Sequence, residues 1–247
     1  MAEIKDFAEL NGIKYEWLGQ STVRIATRNG FTVYTDPVML DENFPKADLI
    51  LITHHHVDHC LPEFVAMIRE EKTKIASFHE SYLKYCVEDI KGVRTVKIGQ
   101  TIALAGVRIT GVEACAKRGF HIKGEGCGFL VELGGQKIYF SGDTAAVKEM
   151  EELKNIDAAI VSLCDNIGAI DPKEIIEAIK KMKPRLFIPV HYTPADQPDP
   201  QVREGMFATK DPRFFTRKEN PERFLRSFEG TGIEVAILRM LGRYKEE

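Results

Sequence analysis

The hydrophobic pattern of the chain opens on short runs of strand character and later turns to alternating strands and helices. Ile13–Leu18 and Ser21–Thr27 are rich in β-branched and aromatic residues, which predicts two strands. Arg28-Asn29-Gly30 then signals a hairpin into Phe31–Thr35, because Asn-Gly accepts the positive φ of such turns. Asp36-Pro37 breaks the pattern. Asp48–Thr53 is almost unbroken in its apolar run, so a strand buried on both faces is expected. A helix is predicted over Leu61–Lys72, opening near Pro62 where proline is tolerated. Strands follow at Lys74–Ser77 and Val93–Ile98, with a helix around Ser81–Ile90 between them. Thr101–Leu104, Val107–Val112, Gly128–Leu133 and Gln136–Phe140 read as further strands. Gly134-Gly135 turns the last hairpin, and Glu113–Gly126 reads as an irregular loop.

Past Phe140 the period changes. Thr144–Leu153 is expected to be helical and Ala158–Leu163 a strand. Asp171-Pro172-Lys173-Glu174 is a helix start, with Asp as N-cap, Pro at N1 and Glu at N3. That helix should run to Met182 and stop at Lys183-Pro184. Arg185–Val190 is another buried strand with His191 at its end. Pro221–Phe228 reads as a short helix and Ile233–Leu238 as a last strand. There is no internal sequence repeat. The order implies sheets with helices outside, in a single domain spanning residues 1–247. Within it, residues 193–220 form a long proline-rich and charged loop. Its Arg203, Phe207, Phe214 and Arg217 suit either a lid or the interface of a homo-oligomer.

Composition narrows the class. The chain is 44% hydrophobic and 29% charged, ordinary for a soluble globular protein. A net charge of −3 argues against a nucleic-acid partner held by bulk positive charge. No apolar run approaches the ~20 residues that span a bilayer, and the start is polar, so a cytoplasmic protein without a membrane partner is expected. The five cysteines, Cys60, Cys86, Cys115, Cys127 and Cys164, are odd in number and form no CxxC. They read as reduced thiols.

The chemistry concentrates where the apolar strand ends, in Thr53-His54-His55-His56-Val57-Asp58-His59-Cys60. Crowded imidazoles have little structural use, and with a carboxylate they suit zinc, manganese or iron. On a tight loop His54 and His56 can aim at one point, and Asp58 and His59 at a second. His55 would point the other way if the loop is extended.

This H-x-H-x-D-H segment after an apolar strand resembles the signature of the metallo-β-lactamase superfamily. Asp36-Pro37, Ser141-Gly142-Asp143-Thr144 and Pro189-Val190-His191-Tyr192 match its other pieces in order. With Trp17-Leu18-Gly19 near the start, the chain is similar to the branch containing L-ascorbate-6-phosphate lactonase. The resemblance implies an αββα fold, two stacked sheets flanked by helices. It implies a metal-dependent hydrolase that activates water on a small polar ester, lactone or phosphoester. Carried over by position, His54 and His56 serve a first metal, Asp58, His59 and His191 a second, and Asp143 bridges. Asp58 can also orient the nucleophile or take a proton. The expected cofactors are one or two divalent ions per chain, zinc or manganese first, iron or nickel also suited.

The match has departures. The superfamily's third histidine for the first metal would follow the strand Val107–Val112, where this chain reads Glu113-Ala114-Cys115-Ala116. His121 could supply the missing ligand or bind substrate, and Cys115 is a weaker candidate. Gln20 stands where relatives often have His, and could bond a ligand, bond the substrate or serve the structure. Asp36 is expected to accept the second N–H of a ligating His, with a turn role as the alternative. Lys117, Arg118 and Lys123 could receive an anionic substrate or simply be solvated. Asp165-Asn166 follows a strand end that could host site residues, and His79 reads as a surface residue. A non-catalytic metal or ligand sensor, or a mononuclear-iron redox enzyme, are the competing readings.

Overall fold

The computed structural model describes residues 3–56, 58–78, 92–115, 122–124, 126–163, 170–194, 218–219 and 221–241. The first sheet takes its strands in chain order: β1 (Ala8–Leu10), β2 (Ile13–Gly19), β3 (Thr22–Thr27), β4 (Thr32–Thr35), β5 (Leu49–Ile52), β6 (Lys74–Phe78) and β7 (Val93–Val96). β1 to β4 pair antiparallel, and β4 to β7 pair parallel. The second sheet repeats that plan. β8 (Thr101–Leu104), β9 (Val107–Ala114), β10 (Gly126–Leu133) and β11 (Gln136–Phe140) are antiparallel. β12 (Ala158–Ser162), β13 (Leu186–Val190) and β16 (Glu234–Val235) then continue it in parallel. The halves share an architecture that no sequence repeat betrays.

Side-chain alternation explains the stacking. Along β5, Leu49 and Leu51 enter the large core that also holds Phe129, Ile138 and Ile160 from the second sheet. Ile50 and Ile52 enter a separate outer cluster with Val65 and Ile68 of α1 (Pro62–Ile68). A strand covered on both faces needs an unbroken apolar run, and Leu-Ile-Leu-Ile supplies it. On the second sheet, α3 (Pro172–Met182) buries Ile175, Ile176, Ile179 and Met182. Its Asp171 N-cap accepts from Lys173 N at 2.9 Å, and Lys183 closes it in the left-handed region before Pro184. Two mixed sheets under few helices are the expected αββα sandwich.

Several local expectations are corrected. The first helix stops at Ile68 and not Lys72, since Arg69 is already extended. Thr144–Val147 is not helical, and α2 is only Lys148–Glu151. There the backbone is diverted to β9, with Ala145 N donating to Cys115 O at 2.8 Å. Glu113, Ala114 and Gly126 belong to strands, paired Gly126↔Ala114. A Cβ on Gly126 would lie 2.6 Å from Ala114 O, so glycine permits this approach. The last strand is short, Glu234–Val235, with an isolated bridge from Leu238 to Lys5. Thr193–Pro194 (β14) and Lys218–Glu219 (β15) pair in parallel, so the two ends of the proposed insertion meet. α4 spans Pro221–Ser227. The expected helix at 81–90 and the body of the insertion, 195–217, lie outside the described residues. No helix among the described residues is long and apolar enough to cross a membrane.

Candidate metal centre

The described donors of the expected centre, with Asp36 behind them, stand beyond the C-terminal ends of strands. Asp36 follows β4, His54 to His59 follow β5, Asp143 follows β11 and His191 follows β13. Ligand sites of α/β sheets form at such ends, where the chain leaves one strand and a neighbouring connection goes elsewhere. Here the ends of both sheets lie at one edge of the sandwich.

The donors converge closely. His54 Nε2 lies 3.1 Å from His56 Nδ1. His59 Nε2 lies 3.1 Å from His191 Nε2 and 3.3 Å from an Asp143 oxygen. His191 Nε2 lies 3.2 Å from Asp58 Oδ2. Two groups could hold an ion: His54, His59 and Asp143, and Asp58, His59 and His191. The second is the trio expected for the second metal. The first joins His54 to His59 and Asp143, with His56 touching it through His54. Bonds of about 2.0–2.1 Å from zinc to nitrogen place two tetrahedral ligands roughly 3.3 Å apart. The donor set and its spacing therefore fit a metal ion. His59 and His191 are fully buried, whereas Asp58 and Asp143 keep 18% and 12% of their side chains exposed.

Asp36 organises this cluster from behind. It is fully buried, with a backbone φ of 40°. One oxygen accepts from Thr53 N at 2.7 Å. The other accepts from Thr53 Oγ1 and from His59 Nδ1, each at 2.7 Å. Thr53 Oγ1 in turn accepts from His54 Nδ1 at 2.9 Å. A carboxylate accepts only, so the chain of donors is ordered outward from it. One carboxylate thus directs the Nε2 lone pairs of two imidazoles toward the cluster, His59 directly and His54 through Thr53. On the opposite side Ser162 Oγ donates to Asp143 Oδ1 at 2.8 Å. Gly142 lets the two sides touch: it has a φ of 59°, and a Cβ there would lie 2.9 Å from Thr53 Cβ.

Thr53 and Ser162 are the participants that sequence reasoning missed. Their only local signal is position, one residue before His54 and at the end of β12. Lys123 is exposed and pairs with Glu149 at 3.7 Å. Cys115 is half-buried, lies in neither donor group, and burial raises its thiol pKa. Gln20 is buried in the turn between β2 and β3. His121, His79, Lys117, Arg118 and Asp165-Asn166 lie outside the described residues.

Charge sets the ionisation of the metal-free protein. Burial alone would lower the His59 pKa, but the carboxylates of Asp143, Asp58 and Asp36 push it up to about 10. Burial works to raise Asp58, yet His59 and His191 pull it down to about 2. Asp143 is held well below the usual carboxylate range, against burial, by the same two imidazoles. Burial pushes Asp36 up, opposed by His59 and the Thr53 hydrogen bonds. A raised histidine pKa stabilises the fold fully below about 6.5, and the contribution is lost as pH rises to about 10. Metal-free protein is expected to show a falling urea midpoint across that window. An imidazole must lose its proton to bind metal, so uptake at pH 7 should release one. Calorimetry in two buffers of different ionisation enthalpy reads this directly, and equal heats would contradict it.

The sheets and the clustered imidazoles and carboxylates define the architecture of a metal-dependent hydrolase, and comparison with known proteins agrees. Residues 14–191 match the family described as a beta-lactamase superfamily domain. A UPF0173 metal-dependent hydrolase from Thermococcus onnurineus is 36% identical over 175 residues, covering 67% of this chain and 76% of the relative. One from Pelotomaculum thermopropionicum is 34% identical over 168 residues, covering 63% and 72%. A crystal structure of a Parabacteroides distasonis protein superposes with a TM-score of 0.73 at 24% identity, covering 96% of this chain and 98% of that one. The last likeness speaks to fold alone. The chain belongs to the metallo-β-lactamase superfamily, within its UPF0173 family of metal-dependent hydrolases.

Proposed function

We propose that His54, His56, Asp58, His59, Asp143 and His191 hold one or two divalent ions, and that the centre hydrolyses a small polar ester, lactone or phosphoester. The observation that carries this is the meeting of six donors from three strand ends at contacts of 3.1 to 3.3 Å. Bound there, a metal ion would lower the pKa of water toward ~7 and polarise the oxygen on which charge builds. The chain's own residues do the rest. Asp36 and Thr53 orient His59 and His54, Ser162 orients Asp143, and the partly exposed Asp58 stands ready to orient the attacking water or take its proton. Residues 193–220 act as a lid or interface segment, and the whole chain works as one domain. Zinc and manganese suit the donors best.

Metal analysis before and after chelation, paired with turnover of lactones, esters and phosphodiesters, tests the reading. Near two metals per chain with chelator-sensitive hydrolysis supports a dinuclear centre. One metal means that the lack of histidine at Glu113–Ala116 has weakened the first position. No metal under any loading condition, with no turnover, removes the hydrolase reading for this chain.

A further inference from the structure

β2 and β3 are joined by the turn Gln20–Ser21. Two-residue hairpin turns are usually exposed, and their positive φ is usually taken by Asn or Gly. This turn departs on both counts. Gln20 has a φ of 49°, and only 2% of it is exposed. Its carbonyl is used twice: Gln20 O accepts from Trp17 Nε1 at 2.7 Å and from His191 N at 2.9 Å. Trp17 is itself stacked on Tyr192, with ring centroids 5.0 Å apart. The turn is thereby clamped to His191, the residue that follows β13 at the metal centre.

The side chain is the opposite case. Among the described residues neither Gln20 Oε1 nor Nε2 has a hydrogen-bond partner, and the neighbouring Ser21 Oγ, 1% exposed, lacks one too. A buried amide without partners is costly, and methionine would fill similar volume without that cost. Left-handed backbone on a long side chain adds a second cost at the same residue. Sequence and fold disagree at functional positions more than elsewhere. The cluster already supplies acidic groups in Asp58 and Asp143, and a metal would supply positive charge. What Gln20 adds is a neutral group that both donates and accepts.

We propose that the Gln20 carboxamide is a specificity-determining contact, hydrogen-bonding a neutral amide-like or hydroxyl-bearing group of the ligand held beside His191. The inference rests on the hydrolase reading for the identity of that ligand as substrate, but not for its binding. The bond from His191 N to Gln20 O holds the turn, and so the root of this side chain, beside the metal centre.

The test uses the full-length, metal-loaded protein with acetohydroxamate as probe, in wild type, Gln20→Met and Gln20→Glu. The expected result has three parts. Q20M melts at a higher temperature than wild type in the metal-free state, because an unpartnered amide is gone. Metal content is unchanged in both variants. Acetohydroxamate affinity, read by calorimetry, falls about five- to tenfold in Q20M, the size of one neutral hydrogen bond. For any ester or lactone that turns over, Q20M raises KM more than it lowers kcat. A lower melting temperature for Q20M would mean that the amide has a structural partner, and would overturn the proposal. So would acetohydroxamate affinity within twofold of wild type in both variants, or no binding to wild type at all. If wild type binds the probe but hydrolyses nothing, the substrate reading fails while the contact stands.

Discussion

Replacing His59 by alanine is expected to strip the protein of metal and to lower hydrolysis by more than the ~10–100-fold typical of losing a ligand's hydrogen-bond partner. His59 alone belongs to both donor groups found among the described residues. Its Nε2 touches His191 and Asp143, and its Nδ1 donates to Asp36. The substitution should also weaken the metal-free fold. Without the His59 charge, Asp36, Asp58 and Asp143 are left as crowded carboxylates with one cation fewer to offset them. Removing one partner of a buried charge cluster typically costs about 3–5 kcal/mol. Urea unfolding in chelator should show that loss at neutral pH. It should shrink toward acid pH as the carboxylates protonate. Full metal content in the variant would show that the two donor groups bind without their shared member.

The features read correctly from the sequence were those whose cause is local. Leu49 to Ile52 carry their double burial in four consecutive apolar residues, and Asp171-Pro172 carries a helix start in two. The H-x-H-x-D-H segment signals candidate metal donors because its residue types have few other uses at that density, and folding does bring His54, His59 and Asp58 into candidate groups. What escaped depends on distant partners. β1 exists because Ala8–Leu10 finds Ile13–Tyr15 across a turn, not because three residues favour a strand. Thr144–Val147 has helical propensity, but contacts with Cys115 draw it away. Thr53 and Ser162 look like ordinary strand-end hydroxyls until folding brings Asp36 to one and Asp143 to the other. The pairing of His54 with His59 and Asp143 is likewise a product of where β5 and β11 end, which spacing within one loop does not encode.

Asp36→Asn is expected to lower metal affinity by about 10–100-fold while leaving the backbone sound. The argument turns on one proton. In the native protein one Asp36 oxygen accepts from both His59 Nδ1 and Thr53 Oγ1 at 2.7 Å. Asparagine can keep the Thr53 N–H bond through its carbonyl, but it then presents an NH2 donor to both groups. His59 must place its own proton on Nε2, the nitrogen that faces Asp143 and His191. Thr53 must turn its hydroxyl hydrogen away, which disturbs the Oγ1 contact with His54 Nδ1 at 2.9 Å. Both imidazoles lose the orientation that aims a lone pair at the cluster. Backbone strain offers no competing explanation, because Asn tolerates the φ of 40° at this position better than most residues. Thr53→Val separates the two arms. It keeps His59 bonded to Asp36 and removes only the bridge to His54, so its loss should fall on the group containing His54 and spare Asp58, His59 and His191. Metal titrations of the two variants should therefore differ in stoichiometry as well as strength: D36N weakens every equivalent, T53V only one. Identical titrations for both would mean that Asp36 does not direct His54 through Thr53.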